Sequence, residues 1–153
     1  MPNEAIPGPA KILGVAGLLP FISASLLVFL LPDSGRQMAF DVLVHYAAVI
    51  LSFLGAVHWG LTMCRLNQST LMFRDIWIGF GWGVTPALIA WIATQMVLTA
   101  ALITLIAGFS AAFVVDVWSK KKSWIPEWYL KLRKPLTLIV LICLGAALLN
   151  IRI

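Results

Sequence analysis

Five apolar stretches, each about 20 residues long, follow one another along this chain and decide what it can fold into. They cover about residues 12–31, 38–63, 76–93, 95–118 and 135–151. At ~1.5 Å per residue, a helix of ~20 residues crosses the ~30 Å hydrocarbon layer of a bilayer. Within lipid only a helix or a closed barrel satisfies its own backbone. The pattern predicts an all-α integral membrane protein, a single transmembrane domain over residues 1–153 with five transmembrane helices. Pro32-Asp33-Ser34-Gly35 closes the first span as a turn. Only Thr94 and Gln95 separate the third span from the fourth. One helix across both would measure about 60 Å, twice the bilayer, so a tight hairpin is required there. Pro135 suits the first turn of the fifth span. With 61% hydrophobic and 11% charged residues, a soluble enzyme, a nucleic-acid binder and a disulfide scaffold are all disfavoured.

The net charge of +5 then reads as membrane orientation. Five spans place the termini on opposite sides. Lys11, Arg65, Arg74, Lys120, Lys121, Lys122, Lys131, Arg133 and Lys134 fall on one side, Arg36 and Arg152 on the other. This asymmetry predicts a cytoplasmic N-terminus and an external C-terminus. The first span is too long for a signal-peptide core, and Glu4 and a single Lys11 precede it, so no cleavable signal is expected. Nor is there an Arg- and Ser-rich presequence, and a multi-pass protein of the bacterial cytoplasmic (inner) membrane is the expectation. Cys64 and Cys143 differ in depth by about half a bilayer, which argues against a disulfide between them.

Small residues mark where helices can approach closely. The third span carries Gly79-x-x-x-Gly83 followed by Thr85-Pro86, the second Ala56-x-x-x-Gly60, and the fourth Gly108-x-x-x-Ala112. Gly14, Gly17 and Pro20 lie in the first. Packing faces are the preferred reading, over hinges at Pro20 or Pro86 that gate a pathway.

The polar residues within spans are few. Asp41, His45, Ser52 and Trp59 fall within about 40° of one another on the second helix. Such a stripe is expected to face protein, either as a proton or substrate relay or with Asp41 at the interface and His45 bonded to it. His58 lies off that stripe. Asp116, on the fourth span, reaches a similar depth. A His58–Asp116 contact is one reading, and an Asp116–Lys120 ion pair across a helical turn is the preferred one. The two histidines are 13 residues apart, about 220° of rotation, and do not make a bis-histidine haem site. Zinc lacks ligands, and no phosphate-binding loop, dinucleotide fingerprint, HExxH or GxSxG occurs. Neither a cofactor nor an enzymatic activity is expected.

Residues 119–134 read SKKKSWIPEWYLKLRK. Pro126 and Glu127 suit a first turn, and Trp124, Ile125, Trp128 and Leu132 share a face, predicting a short interfacial amphipathic helix at about 126–133. Lys120, Lys121, Lys122, Lys131, Arg133 and Lys134, with Trp124 and Trp128, are the expected contacts to anionic lipid headgroups. No nucleic-acid partner is expected.

GVAGLLPF (14–21), YAAVILSFLGAVHWG (46–60), WGVTPALIAW (82–91) and PEWYLKLRKPLT (126–137) together resemble an uncharacterised bacterial and mitochondrial membrane family, a domain of unknown function. The family includes a small transmembrane protein of animal mitochondria. The resemblance implies a five-helix membrane protein with no established activity. It directs attention to Gly55, His58 and Trp59 as a functional centre; the similar depth of Asp116, noted above, makes that residue the histidine's candidate partner. Two functions compete. One is a non-enzymatic accessory or assembly subunit of a larger respiratory or photosynthetic membrane complex. The other is a small proton-linked transporter or channel that uses the second-helix stripe.

Overall fold

The computed structural model describes residues 5–66 and 72–151. Glu4 and Arg152, used in the sequence argument, lie outside the described residues. The described chain is helical, with no strand: α1 (Gly8–Ala16), α2 (Leu19–Leu30), α3 (Asp33–Leu66), α4 (Phe73–Thr94), α5 (Leu98–Lys121) and α6 (Glu127–Leu149). Taken end to end, α1 and α2 form one span, and with α3 to α6 they make five helical segments long and apolar enough to cross a membrane.

The first span is broken. Its chain turns at Gly17 and Leu18, and Pro20 occupies the first turn of α2 instead of the middle of a continuous helix. Proline suits that position, where an amide hydrogen has no intrahelical acceptor. The Tyr46 hydroxyl of α3 donates to the Gly17 carbonyl at 3.0 Å, meeting a polar group that lipid cannot.

Most of the bundle is organised by α3, which packs against α2, α4 and α5. Its buried stripe runs through Phe40, Leu43, Ala47, Leu51, Leu54, His58 and Thr62, steps of three and four residues that keep one helix face inward. Phe21, Leu102, Leu105, Phe109 and Leu144 fill the space it faces. Phe21 meets Tyr46 and Phe109 edge to face, with centroids 5.0 and 6.0 Å apart. Ser25 donates to the Cys143 carbonyl at 3.2 Å, joining α2 to α6. The outward side chains, among them Leu30, Trp77, Trp91 and Leu149, are large and apolar, as a lipid-facing surface requires.

Close approach of α3 and α4 rests on glycines. A methyl group at Gly55 would stand 2.6 Å from the Gly83 carbonyl oxygen and 3.1 Å from the Pro86 ring. One at Gly83 would meet Trp59, and one at Gly79 would collide with Thr62. Gly79, Gly83 and Pro86 are buried against α3, so this face is a packing seam. The second helix contributes Gly55 to it, whereas Ala56 and Gly60 point outward. Gly108 and Ala112 are buried as expected, Gly108 against Leu51.

Two boundaries differ from the sequence reading. The turn between α4 and α5 occupies Gln95 to Val97. More consequentially, residues 127–149 form a single helix through Pro135, with no separate interfacial helix at 126–133. Leu130 and Arg133 are buried, which ties the first two turns of α6 into the bundle.

Candidate functional site

The site lies where α3, α5 and α6 converge beside the α5–α6 turn. That turn has a definite local cause. After Lys122, Ser123 takes a left-handed φ of 56°. The Trp124 amide then bonds the Ser119 carbonyl and the Ser123 amide the Lys120 carbonyl, both at 2.9 Å. This is a Schellman ending, with serine where glycine is usual. The chain then returns antiparallel as α6. Asp116 and Arg133 stand at nearly equal sequence distances before and after the turn, and the hairpin brings them level.

Arg133 Nε donates to Asp116 Oδ2 at 2.9 Å. His58, arriving on α3, meets Asp116 Oδ1 through Nε2, also at 2.9 Å. All three side chains are buried, with residue exposures of 6% for His58, 2% for Asp116 and 6% for Arg133. A carboxylate can only accept, so in this arrangement His58 Nε2 is the donor to Asp116 Oδ1. Charge-assisted bonds of this kind are short and strong in a dry setting. Their net stabilisation is small because desolvation opposes it, yet removing one partner of such a pair costs about 3–5 kcal/mol. The Thr62 hydroxyl donates to the His58 carbonyl at 2.8 Å, and Ser119, Thr137 and Arg133 Nη2 are buried polar groups without a hydrogen-bond partner among the described residues.

The preferred sequence reading of Asp116 is thereby corrected. Lys120 does not pair with it; Lys120 reaches Glu127 at 3.0 Å instead. The seven-residue step from Leu51 to His58 returns to within about 20° of the same helix face, so the histidine belongs to the buried stripe. Trp59, next to it, is half exposed and stacks edge to face on Phe80 at 4.9 Å. Gly55 and Trp59 meet Gly83 and Pro86 of α4 and leave no space for a flat ligand between them.

The Asp41–His45–Ser52 stripe does not face protein within this chain. Asp41 and His45 are exposed, and Ser52 is half-buried with its hydroxyl donating to the Ala48 carbonyl at 2.8 Å. His45 Nδ1 lies 2.7 Å from the Asp41 backbone oxygen, and the Asp41 carboxylate accepts from Gln37 at 3.1 Å. The inward face of α3 is its apolar one, and the polar stripe is left outside.

Arg133, a headgroup contact by the sequence reading, is instead the cation of the buried site. Lys122 reaches Asp75 on α4 at 3.3 Å and lies 4.3 and 4.8 Å from the Trp118 and Trp124 ring centres. Arg65 stacks on Trp124 from the end of α3, 4.4 Å from its ring centre. The basic aromatic loop thus binds the ends of three helices together. Lys121, Lys131 and Lys134 remain exposed, and Trp128 is partly covered. Among the described residues, no three or more His, Cys, Asp or Glu side chains come together as a metal site. What the arrangement does chemically is to hold one carboxylate between a permanent cation and an imidazole.

Residues 6–149 match a family described as "Protein of unknown function (DUF3429)". Transmembrane protein 69 of Xenopus tropicalis is 34% identical over 146 residues, covering 94% of this chain and 55% of the relative. Transmembrane protein 69 of Mus musculus is 28% identical over 138 residues, covering 89% of this chain and 54% of the relative. The chain thus spans about half the length of these curated relatives. No solved structure matches.

Proposed function

The chain belongs to the DUF3429 family, a family of unknown function, and on that premise we propose that it is a non-enzymatic accessory or assembly subunit of a larger membrane complex, respiratory or photosynthetic, in a bacterial cytoplasmic membrane. The observation that carries this reading is the outward placement of Asp41 and His45. Phe40 borders the same recess as Leu98 and Asn150, which marks that level as the end of the helices on this side. His45 is five residues further along α3, about 7 Å deeper. An exposed imidazole at that depth, with Asp41 one turn nearer the helix ends, is costly against hydrocarbon and favours a protein neighbour that supplies hydrogen bonds. The same placement weakens the transporter reading, since both side chains stand on the outside of the bundle. Anionic lipid at Lys121 and Lys134 completes the proposed surroundings.

The test is native purification in mild detergent, comparing the parent with Asp41→Leu and His45→Leu. Stoichiometric co-purification with a membrane complex in the parent, lost in both variants at unchanged protein level, is the expected result. A chain that purifies alone, or whose partner is retained by both variants, overturns the reading.

A further inference from the structure

An apolar cavity of about 400 Å³ opens between α1, the start of α2, α3 and α6. That volume lies within the 300–1,000 Å³ common for small-molecule sites. It runs from Ala10 and Trp128, near the ends of α1 and α6, inward to Phe21, Ile50 and Val140. Its rim includes Leu13 and Phe53, both exposed toward the lipid-facing surface. Five aromatic residues, Phe21, Phe53, Phe109, Trp128 and Tyr129, line it, and among the described residues Arg133 is the one charged member of the lining.

Arg133 is the informative member. Its Nε is engaged by Asp116, while its buried Nη2 has no acceptor among the described residues. Arg133 thus stands in the wall as a guanidinium whose donors are not all used, with Nη2 itself just beneath the cavity surface, where a small turn of the side chain brings a free donor to a ligand. The charge of that donor is already balanced by Asp116. An anionic ligand would leave an uncompensated negative charge in a dry site. A neutral carbonyl oxygen needs no such compensation. Aromatic walls add favourable edge and face contacts to a flat ring, and the lipid-side opening gives an apolar tail an exit.

We propose that this cavity binds a membrane quinone, its ring among the aromatic side chains, one carbonyl oxygen accepting from Arg133, and its tail leaving past Leu13 and Phe53. The proposal concerns binding alone. It does not depend on the subunit reading, because it uses a different face of the chain.

The experiment is thermal unfolding of the full chain in detergent, with a decyl-substituted benzoquinone as the probe and decylbenzene and dodecanoate as comparators. A ligand that binds only the folded state raises the melting temperature with its concentration. A saturable rise with the quinone and none with decylbenzene or dodecanoate is expected. Val57→Trp, which fills the cavity from α3, should abolish that rise. If Val57→Trp does not melt cooperatively, Leu13→Trp on the exposed side of α1 replaces it, with the same outcome required. No rise in the parent, an equal rise with decylbenzene, a rise with dodecanoate alone, or a full quinone response in the filled variant each overturns the proposal.

Discussion

Replacing Gly55 by alanine puts the α3–α4 seam to a direct test. The added methyl would lie 2.6 Å from the Gly83 carbonyl oxygen and 3.1 Å from two carbons of the Pro86 ring. Neither neighbour is the end of a flexible side chain, so the two helix backbones must separate. Overpacking of a well-filled interface costs about 1–3 kcal/mol. Alanine's better helix propensity returns about 0.5–1 kcal/mol, leaving a net loss of about 1–2 kcal/mol. For a chain of this size that corresponds to a melting temperature lower by about 2–8 °C. The controls are Gly81→Ala and Gly145→Ala, where a methyl meets nothing within 4 Å and only the propensity gain remains. Gly108→Ala should fall between, since its 2.6 Å contact is with a Leu51 methyl that can turn away. The assay is thermal unfolding of purified protein in one detergent, supported by steady-state level in membranes. If Gly55→Ala melts as high as Gly81→Ala, the seam yields freely and the close-packing argument is wrong.

Asp116→Ala, which leaves Arg133 buried and unpaired, should cost about 3–5 kcal/mol, whereas Asp116→Leu combined with Arg133→Met should recover most of that loss, as read in a double-mutant cycle by thermal unfolding. Ser123→Gly relieves a left-handed φ of 56° and should raise stability by about 1 kcal/mol; a fall would mean that the serine side chain contributes elsewhere. Lys121→Gln with Lys134→Gln should reduce co-purified anionic lipid, each lysine contributing about 1 kcal/mol at most, while Lys122→Gln should lower the melting temperature through its lost contacts with Asp75 and the tryptophans. Reporter fusions at Ser123 and after Ile151 should report cytoplasm and exterior respectively; a C-terminal fusion active only in the cytoplasm would sink the predicted orientation.

The helices were legible because span length and turn residues are local properties. Pro32, the Thr94–Gln95 break and the small residues of α4 each act within a few positions of where they stand. The buried site was harder to read for a physical reason. Asp116 has Lys120 one turn away on its own helix, and a local rule favours that pair. Which cation reaches it depends on the α5–α6 hairpin and on which face of α3 turns inward. One signal was available: Asp116 and Arg133 sit symmetrically about the Trp124–Ile125 bond, just before Pro126. The other was the spacing of Leu51, Leu54 and His58, which continues the apolar stripe of α3. The polar stripe through Asp41 and His45 drew attention to the opposite face, because polarity alone does not say whether the neighbour belongs to the same chain. The split first span escaped because Pro20 is tolerated both inside a membrane helix and at the start of one.

The chain order of the buried site bears on how the protein is made. His58 emerges from the ribosome first, Asp116 next, and Arg133 only 17 residues later. When α5 first meets the translocation machinery, its permanent cation is still inside the ribosome, and an aspartate in a membrane segment resists partitioning. His58, already in the membrane on α3, supplies an interim partner until α6 arrives and Arg133 takes the second carboxylate oxygen. The histidine then does for biogenesis what the arginine does for the finished protein. Insertion of α5 in a released chain that ends near Lys122 should accordingly fall when His58 is replaced, since that chain carries no Arg133.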